Sequence, residues 1–144
     1  MDKTPAMECI RGARIKDVLD REYRQYLTGH LARPQPELQH IEDDIEIGMS
    51  YYQTFTADTP HVHPRATEHG YVLEGCLRIR LLDGSGTEME FHEGDFFVIR
   101  PGTPYAGKNK EGTRILFIKS PGVNDKTPVE PDGETRAWLR SWDL

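Results

Sequence analysis

Turn-forming clusters recur along residues 44–120: Ala57-Asp58-Thr59-Pro60, Asp83-Gly84-Ser85-Gly86, Glu93-Gly94, Pro101-Gly102-Thr103-Pro104 and Asn109 to Gly112. This punctuation allows only short strands, as expected where turn signals come about every 8–12 residues. No long amphipathic stretch separates the strands, so a parallel sheet with helical crossovers is excluded. The predicted fold class is all-β, an antiparallel barrel or sandwich.

Within that frame, residues 37–41 and 44–55 read as strands. Ile45, Ile47 and Met49 alternate with Glu46, Gly48 and Ser50, which predicts an apolar core-facing row. Tyr71-Val72-Leu73 leads to a segment in which Leu77, Ile79 and Leu81 alternate with Cys76, Arg78 and Arg80. Asp83 to Gly86 predicts a hairpin returning through residues 87–91. Phe96 to Ile99 and Thr113 to Lys119 complete the set. Upstream, Ile15, Val18, Leu19, Tyr23, Tyr26 and Leu27 share one face of a predicted helix stopped by Gly29, with a break at Pro34 and Pro36. Residues 1–36 are thus read as an N-terminal extension with an amphipathic helix, 37–120 as the barrel, and 121–144 as a tail. Residues 121–134 are expected to wrap the surface as loop, and Trp138 and Trp142 to pack on the barrel or a dimer partner.

Composition narrows the partners. The formal charge of −6, with Lys and Arg scattered among Asp and Glu, argues against nucleic acid. No stretch is apolar enough to suggest a leader or a membrane span, so a cytoplasmic protein without membrane contact is expected. Cys9 and Cys76 form no metal or disulfide pattern. The chain lacks GxSxG, Walker and dinucleotide fingerprints, which leaves serine nucleophiles, ATP and NAD without support.

Chemistry concentrates in HVHPRATEHGYVLEG, residues 61–75. His61 and His63 are one residue apart and project from one face of a strand, with Cα atoms roughly 6.5 Å apart. With Glu68 they form a two-histidine, one-carboxylate set suited to one divalent ion with open positions. His69 is expected to face away from Glu68. Arg78, Arg80, Arg100, Lys108, Arg114 and Lys119 are candidates to hold a substrate carboxylate or phosphate, at most one or two of them inside the barrel.

The spacing of His61, His63, Glu68 and Gly75 resembles the first signature motif of the cupin superfamily. GDFFVIRPGTPYAGKN, residues 94–109, resembles the second through Gly94, Asp95, Pro101, Gly102, Pro104 and Asn109, except that Tyr105 stands where the family places a metal-binding histidine. PGTPYA is also similar to a segment of ectoine synthase, a cupin hydro-lyase whose tyrosine there belongs to the iron site. The resemblance implies a small cupin barrel, a homodimer, and one divalent metal (Fe, Mn, Ni or Zn) bound by His61, His63, Glu68 and Tyr105. Three readings of Tyr105 are open: a phenolate ligand, a proton-transfer group beside the ion, or the mark of a barrel that no longer binds metal. With Tyr105 and Glu68 as catalytic residues, the implied activity is isomerisation or elimination of a small polar carbohydrate or organic acid. An Fe(II) dioxygenase and a non-catalytic small-molecule binder are the alternatives.

Overall fold

The computed structural model describes residues 4–144. Two antiparallel sheets lie face to face. The first runs, in spatial order, β1 (Arg24–Thr28), β2 (Glu46–Tyr52), β10 (Thr113–Ser120), β5 (Thr67–Glu74) and β8 (Phe96–Ile99). The second runs β11 (Thr127–Pro128), β4 (His61–Val62), β9 (Tyr105–Asn109), β6 (Cys76–Leu81) and β7 (Glu88–His92), with β3 (Thr56–Ala57) added beside β9. Between them pack Tyr52, Val72, Leu77, Ile79, Phe91, Ile99, Tyr105 and Ile115.

Register decides which face of the first sheet meets the interior. Glu46, Gly48, Ser50 and Tyr52 are buried, while Ile47 and Met49 are half-buried on the other side and Ile45 is exposed. The apolar row expected inside therefore lies outside. Partner strands explain this reversal. Gly48 pairs with Phe117, Phe117 with Gly70 and Gly70 with Phe97, so one interior row alternates glycine and phenylalanine. A Cβ on Gly48 would stand 2.2 Å from Phe117 Cζ, and one on Gly70 2.2 Å from Phe97 Cζ. The rings occupy the space that side chains at the glycines would need. The opposite face carries two cross-strand rows, Met49–Leu116–Tyr71–Phe96 and Ile47–Ile118–His69–Val98.

The N-terminal helix α1 (Gly12–Arg21) buries Val18 and Leu19 but ends before Tyr23. Tyr26, expected on the helix, lies instead in β1, where Arg24, Gln25 and Tyr26 pair with Ser50, Met49 and Gly48. Tyr23, Tyr26 and Leu27 fit a helical spacing, yet pairing here satisfies the backbone groups along the edge of β2, which a longer helix would leave open. Residues 37–41 form no strand; Ile41 makes a single bridge to Thr28. The Gln35 amide instead accepts from Tyr26 N at 2.8 Å and donates to Tyr26 O at 2.8 Å, covering the edge of β1.

The C-terminal segment covers the outside of the second sheet. Helix α2 (Gly133–Trp138) is capped by Asp132, whose carboxylate accepts from Thr135 N at 2.8 Å. Lys108, fully buried on β9, donates to the carbonyls of Trp138 (2.8 Å), Ser141 (2.9 Å) and Leu144 (3.2 Å). Arg78 stacks on Trp142 and Arg80 on Trp138, at 4.1 and 4.7 Å from the ring centroids. Arg78, Arg80 and Lys108 therefore hold the tail in place and do not face the barrel interior. Arg114 likewise lies outside, paired with Glu74 and stacked on Tyr51.

Candidate metal centre

His61 lies on β4, whose pairing with β9 sets it directly opposite Tyr105. Its Nδ1 lies 2.6 Å from the Thr59 carbonyl, an acceptor only, so Nδ1 carries the proton and Nε2 presents a lone pair. Burial holds the His61 pKa down to about 4, against the opposing pull of the Thr59 bond, so the ring is neutral near pH 7. His63 follows just past the strand. Its Nδ1 lies 3.0 Å from Asp125 Oδ1, while Asp125 Oδ2 accepts from Arg65 N (2.7 Å) and Ala66 N (3.0 Å). His63 Nε2 is left buried without a hydrogen-bond partner. Anchoring one ring nitrogen on a carbonyl or carboxylate and freeing the other is the usual outer support of a metal-binding histidine.

Glu68 enters from the first sheet. It pairs with Lys119 on one side and Ile99 on the other and faces inward, whereas His69 faces outward. Donor atoms of His61, His63 and Glu68 lie within 4.8 Å of one another. The Tyr105 hydroxyl donates to Glu68 Oε2 and lies 2.9 Å from His61 Nε2. Burial and the Glu68 charge hold the phenol well above its ordinary pKa, so it keeps its proton. With His63, like His61, as a neutral imidazole protonated on Nδ1, the atoms His61 Nε2, His63 Nε2 and Glu68 Oε2 all offer lone pairs, and the Tyr105 hydroxyl supplies the one hydrogen bonded among them. Such a cluster lacks positive charge, and the residues fit a divalent ion.

Around this cluster lies a cavity of about 50 Å³. That holds an ion and roughly three or four water-sized groups. Leu77, Ile79, Phe97, Ile115 and Phe117 form apolar wall, and Arg24, Asp58, Lys119 and Lys126 line it with charge. Of the cations considered from the sequence, Lys119 is on the pocket wall; it is buried and lies 3.1 Å from Glu46. Arg24, Asp58, Asp125 and Lys126 were not recognisable as site residues. Arg24 lay in the predicted helix, and Asp125 and Lys126 in a segment read as surface loop. The pairing of β11 with β4, Thr127 to Val62 and Pro128 to His61, returns that loop to the site.

Comparisons with known proteins agree with this architecture. The family model described as "Cupin domain" matches residues 51–119, which contain every candidate ligand. That match spans 69 of the 144 residues, just under half of the chain. A germin-like protein of rice (Oryza sativa subsp. japonica), Germin-like protein 8-4, is 27% identical over 116 residues, covering 62% of this chain and 52% of the relative. The chain thus spans about half the length of that curated relative. Among solved structures, a double-stranded β-helix protein from Klebsiella pneumoniae aligns at a TM-score of 0.54 and 19% identity, over 69% of this chain and 90% of its own. KdgF from Halomonas sp. aligns at 0.50 and 22% identity, over 68% and 76%. Oxalate decarboxylase from Bacillus subtilis, which has Mn(II) centres, aligns at 0.52 and 20%, over 66% of this chain and 28% of that chain. Likeness at these identities establishes the fold.

Proposed function

We propose that this protein is a cupin and a metal-dependent enzyme that isomerises, or eliminates water from, a small polar organic molecule. The observation that carries the reading is the convergence of three lone-pair donors with a single hydrogen among them. His61, His63 and Glu68 would hold the ion, which when bound supplies Lewis-acid polarisation of a carbonyl, carboxylate or hydroxyl oxygen. Tyr105 is the proton carrier. Its O–H proton passes to the departing or developing oxygen, and the proton on the neighbouring substrate carbon returns to the phenolate, so the phenol is regenerated. The apolar walls limit water around the reacting carbon.

Two measurements test this. Elemental analysis of protein purified without chelator should find about one divalent ion per chain, lost in the His61→Ala/His63→Ala variant. Proton NMR in D₂O should show deuterium entering, or water leaving, a member of a panel of small hydroxy and oxo acids and sugars. Tyr105→Phe should keep its metal and lose that activity. Loss of metal in Tyr105→Phe, restored in Tyr105→His, would instead make the phenolate a ligand. A metal-free wild type would end the proposal.

A homodimer is the proposed assembly. The Met49–Leu116–Tyr71–Phe96 and Ile47–Ile118–His69–Val98 rows offer a continuous outer face in which Tyr71, Phe96 and Val98 are exposed. Light scattering should give twice the chain mass, and Phe96→Glu should halve it.

A further inference from the structure

We propose that the substrate of this site is a small monocarboxylate, recognised by the Arg24 guanidinium and the Lys119 ammonium. The inference rests on the metal-site reading above. Arg24 is fixed on β1 by three bonds: Nε donates to Ser50 Oγ (3.0 Å), and Nη2 donates to Tyr52 Oη (2.7 Å) and Asp58 Oδ1 (3.1 Å). Nη1 has no hydrogen-bond partner among the described residues, leaving one donor group of a rigid fork for a ligand. Lys119 enters from β10 between Glu46 and Glu68, its cross-strand neighbours. Its ion pair with Glu46 leaves ammonium donors over. Both residues line the same small cavity as Glu68 and Tyr105.

Charge balance selects the class of ligand. The cavity is lined by the cations Arg24, Lys119 and Lys126 and the carboxylates Asp58 and Glu68, and behind that lining Glu46 pairs with Lys119 and Asp125 with His63, which makes three cations and four carboxylates in all. Without an ion the site therefore carries one excess negative charge, and a dication makes that one excess positive charge. A monoanion neutralises the loaded site. A phosphate dianion would overshoot it. Leu77, Ile79 and Phe97 give the carbon skeleton an apolar wall, and the cavity of about 50 Å³ keeps that skeleton short. The ion and the carboxylate should thus bind in order, the anion gaining affinity once the metal is in place.

The test is calorimetric. Formate, acetate, lactate, lactamide and inorganic phosphate are titrated into manganese-loaded and chelator-stripped wild type, Arg24→Lys, and the double variant Lys119→Met/Glu46→Gln, which removes the buried pair together. Manganese content and thermal unfolding are measured on each sample. At least one carboxylate should bind the loaded protein at least about 10-fold more tightly than the stripped protein, and about 10-fold or more tighter than it binds either folded, loaded variant. Lactamide and phosphate should bind more weakly than the best carboxylate. Equal carboxylate affinity in the loaded variants overturns the proposal, as do preference for phosphate or lactamide and absence of carboxylate binding to loaded wild type. A wild type that takes up no manganese or other divalent ion overturns the metal reading, and this inference falls with it. Failure of carboxylate binding alone leaves the metal site standing.

Discussion

Asp125→Asn should uncouple metal affinity from folding. The Asp125 carboxylate accepts three N–H groups: His63 Nδ1 at 3.0 Å, Arg65 N at 2.7 Å and Ala66 N at 3.0 Å. An amide has one oxygen, so it cannot serve all three. If that oxygen keeps the two backbone donors, the amide N–H group meets His63 Nδ1 and draws its lone pair. The imidazole proton then moves to Nε2, where it blocks the atom that faces the site. Loss of such support typically costs 10–100-fold in metal affinity, or about 1.4–2.8 kcal/mol. Because two backbone bonds survive, thermal stability should fall less than in Asp125→Ala, which loses all three. A chelator competition titration with manganese or zinc on wild type, Asp125→Asn and Asp125→Ala reads the affinity, and a denaturant titration reads the fold. Unchanged affinity in a folded Asp125→Asn would refute the assignment of the His63 tautomer and, with it, His63 as a supported ligand.

Other perturbations address the scaffold. Gly70→Ala puts a methyl group 2.2 Å from Phe97 Cζ and should cost about 1–3 kcal/mol by denaturant titration, recovered in part by Phe97→Leu. Lys108→Met leaves the carbonyls of Trp138, Ser141 and Leu144 without their shared donor and should cost about 2–4 kcal/mol, with early proteolysis at the C-terminal segment. His30 bonds Asp44 first and Glu42 second, and both raise its pKa above 6.5. The raised value means that its stabilising contribution is complete below pH about 6.5 and disappears as pH rises through the folded-state pKa. NMR titration of His30 should show that upward shift, and Asp44→Asn should reduce it.

The sequence conveyed the centre of this molecule better than its flanks. His61, His63 and Glu68 are close in sequence, so strand geometry and a short turn almost define their meeting; His69 facing outward follows from the same alternation. The β2 row faces the other way from the expectation because hydrophobic alternation reports which face is apolar, not which face is inside. Here the interior row contains Glu46, Gly48, Ser50 and Tyr52, made suitable by a polar cavity and by rings that fill the space above glycines. Arg24 is hidden as a site residue because its neighbours Tyr23, Tyr26 and Leu27 fit a helical spacing, whereas Arg24 to Thr28 form a strand. Asp125 acts on His63 across a separation of 62 residues, and no local pattern conveys such a contact.

The position of Asp125 in the chain also bears on assembly. β10, the last long strand, ends at Ser120, and both the carboxylate that steers His63 and the short β11 pairing beside His61 come after it. During synthesis the scaffold can therefore be complete while His63 remains free to turn. Tight capture of the ion should be a late event, gated by the arrival of a few residues beyond the barrel.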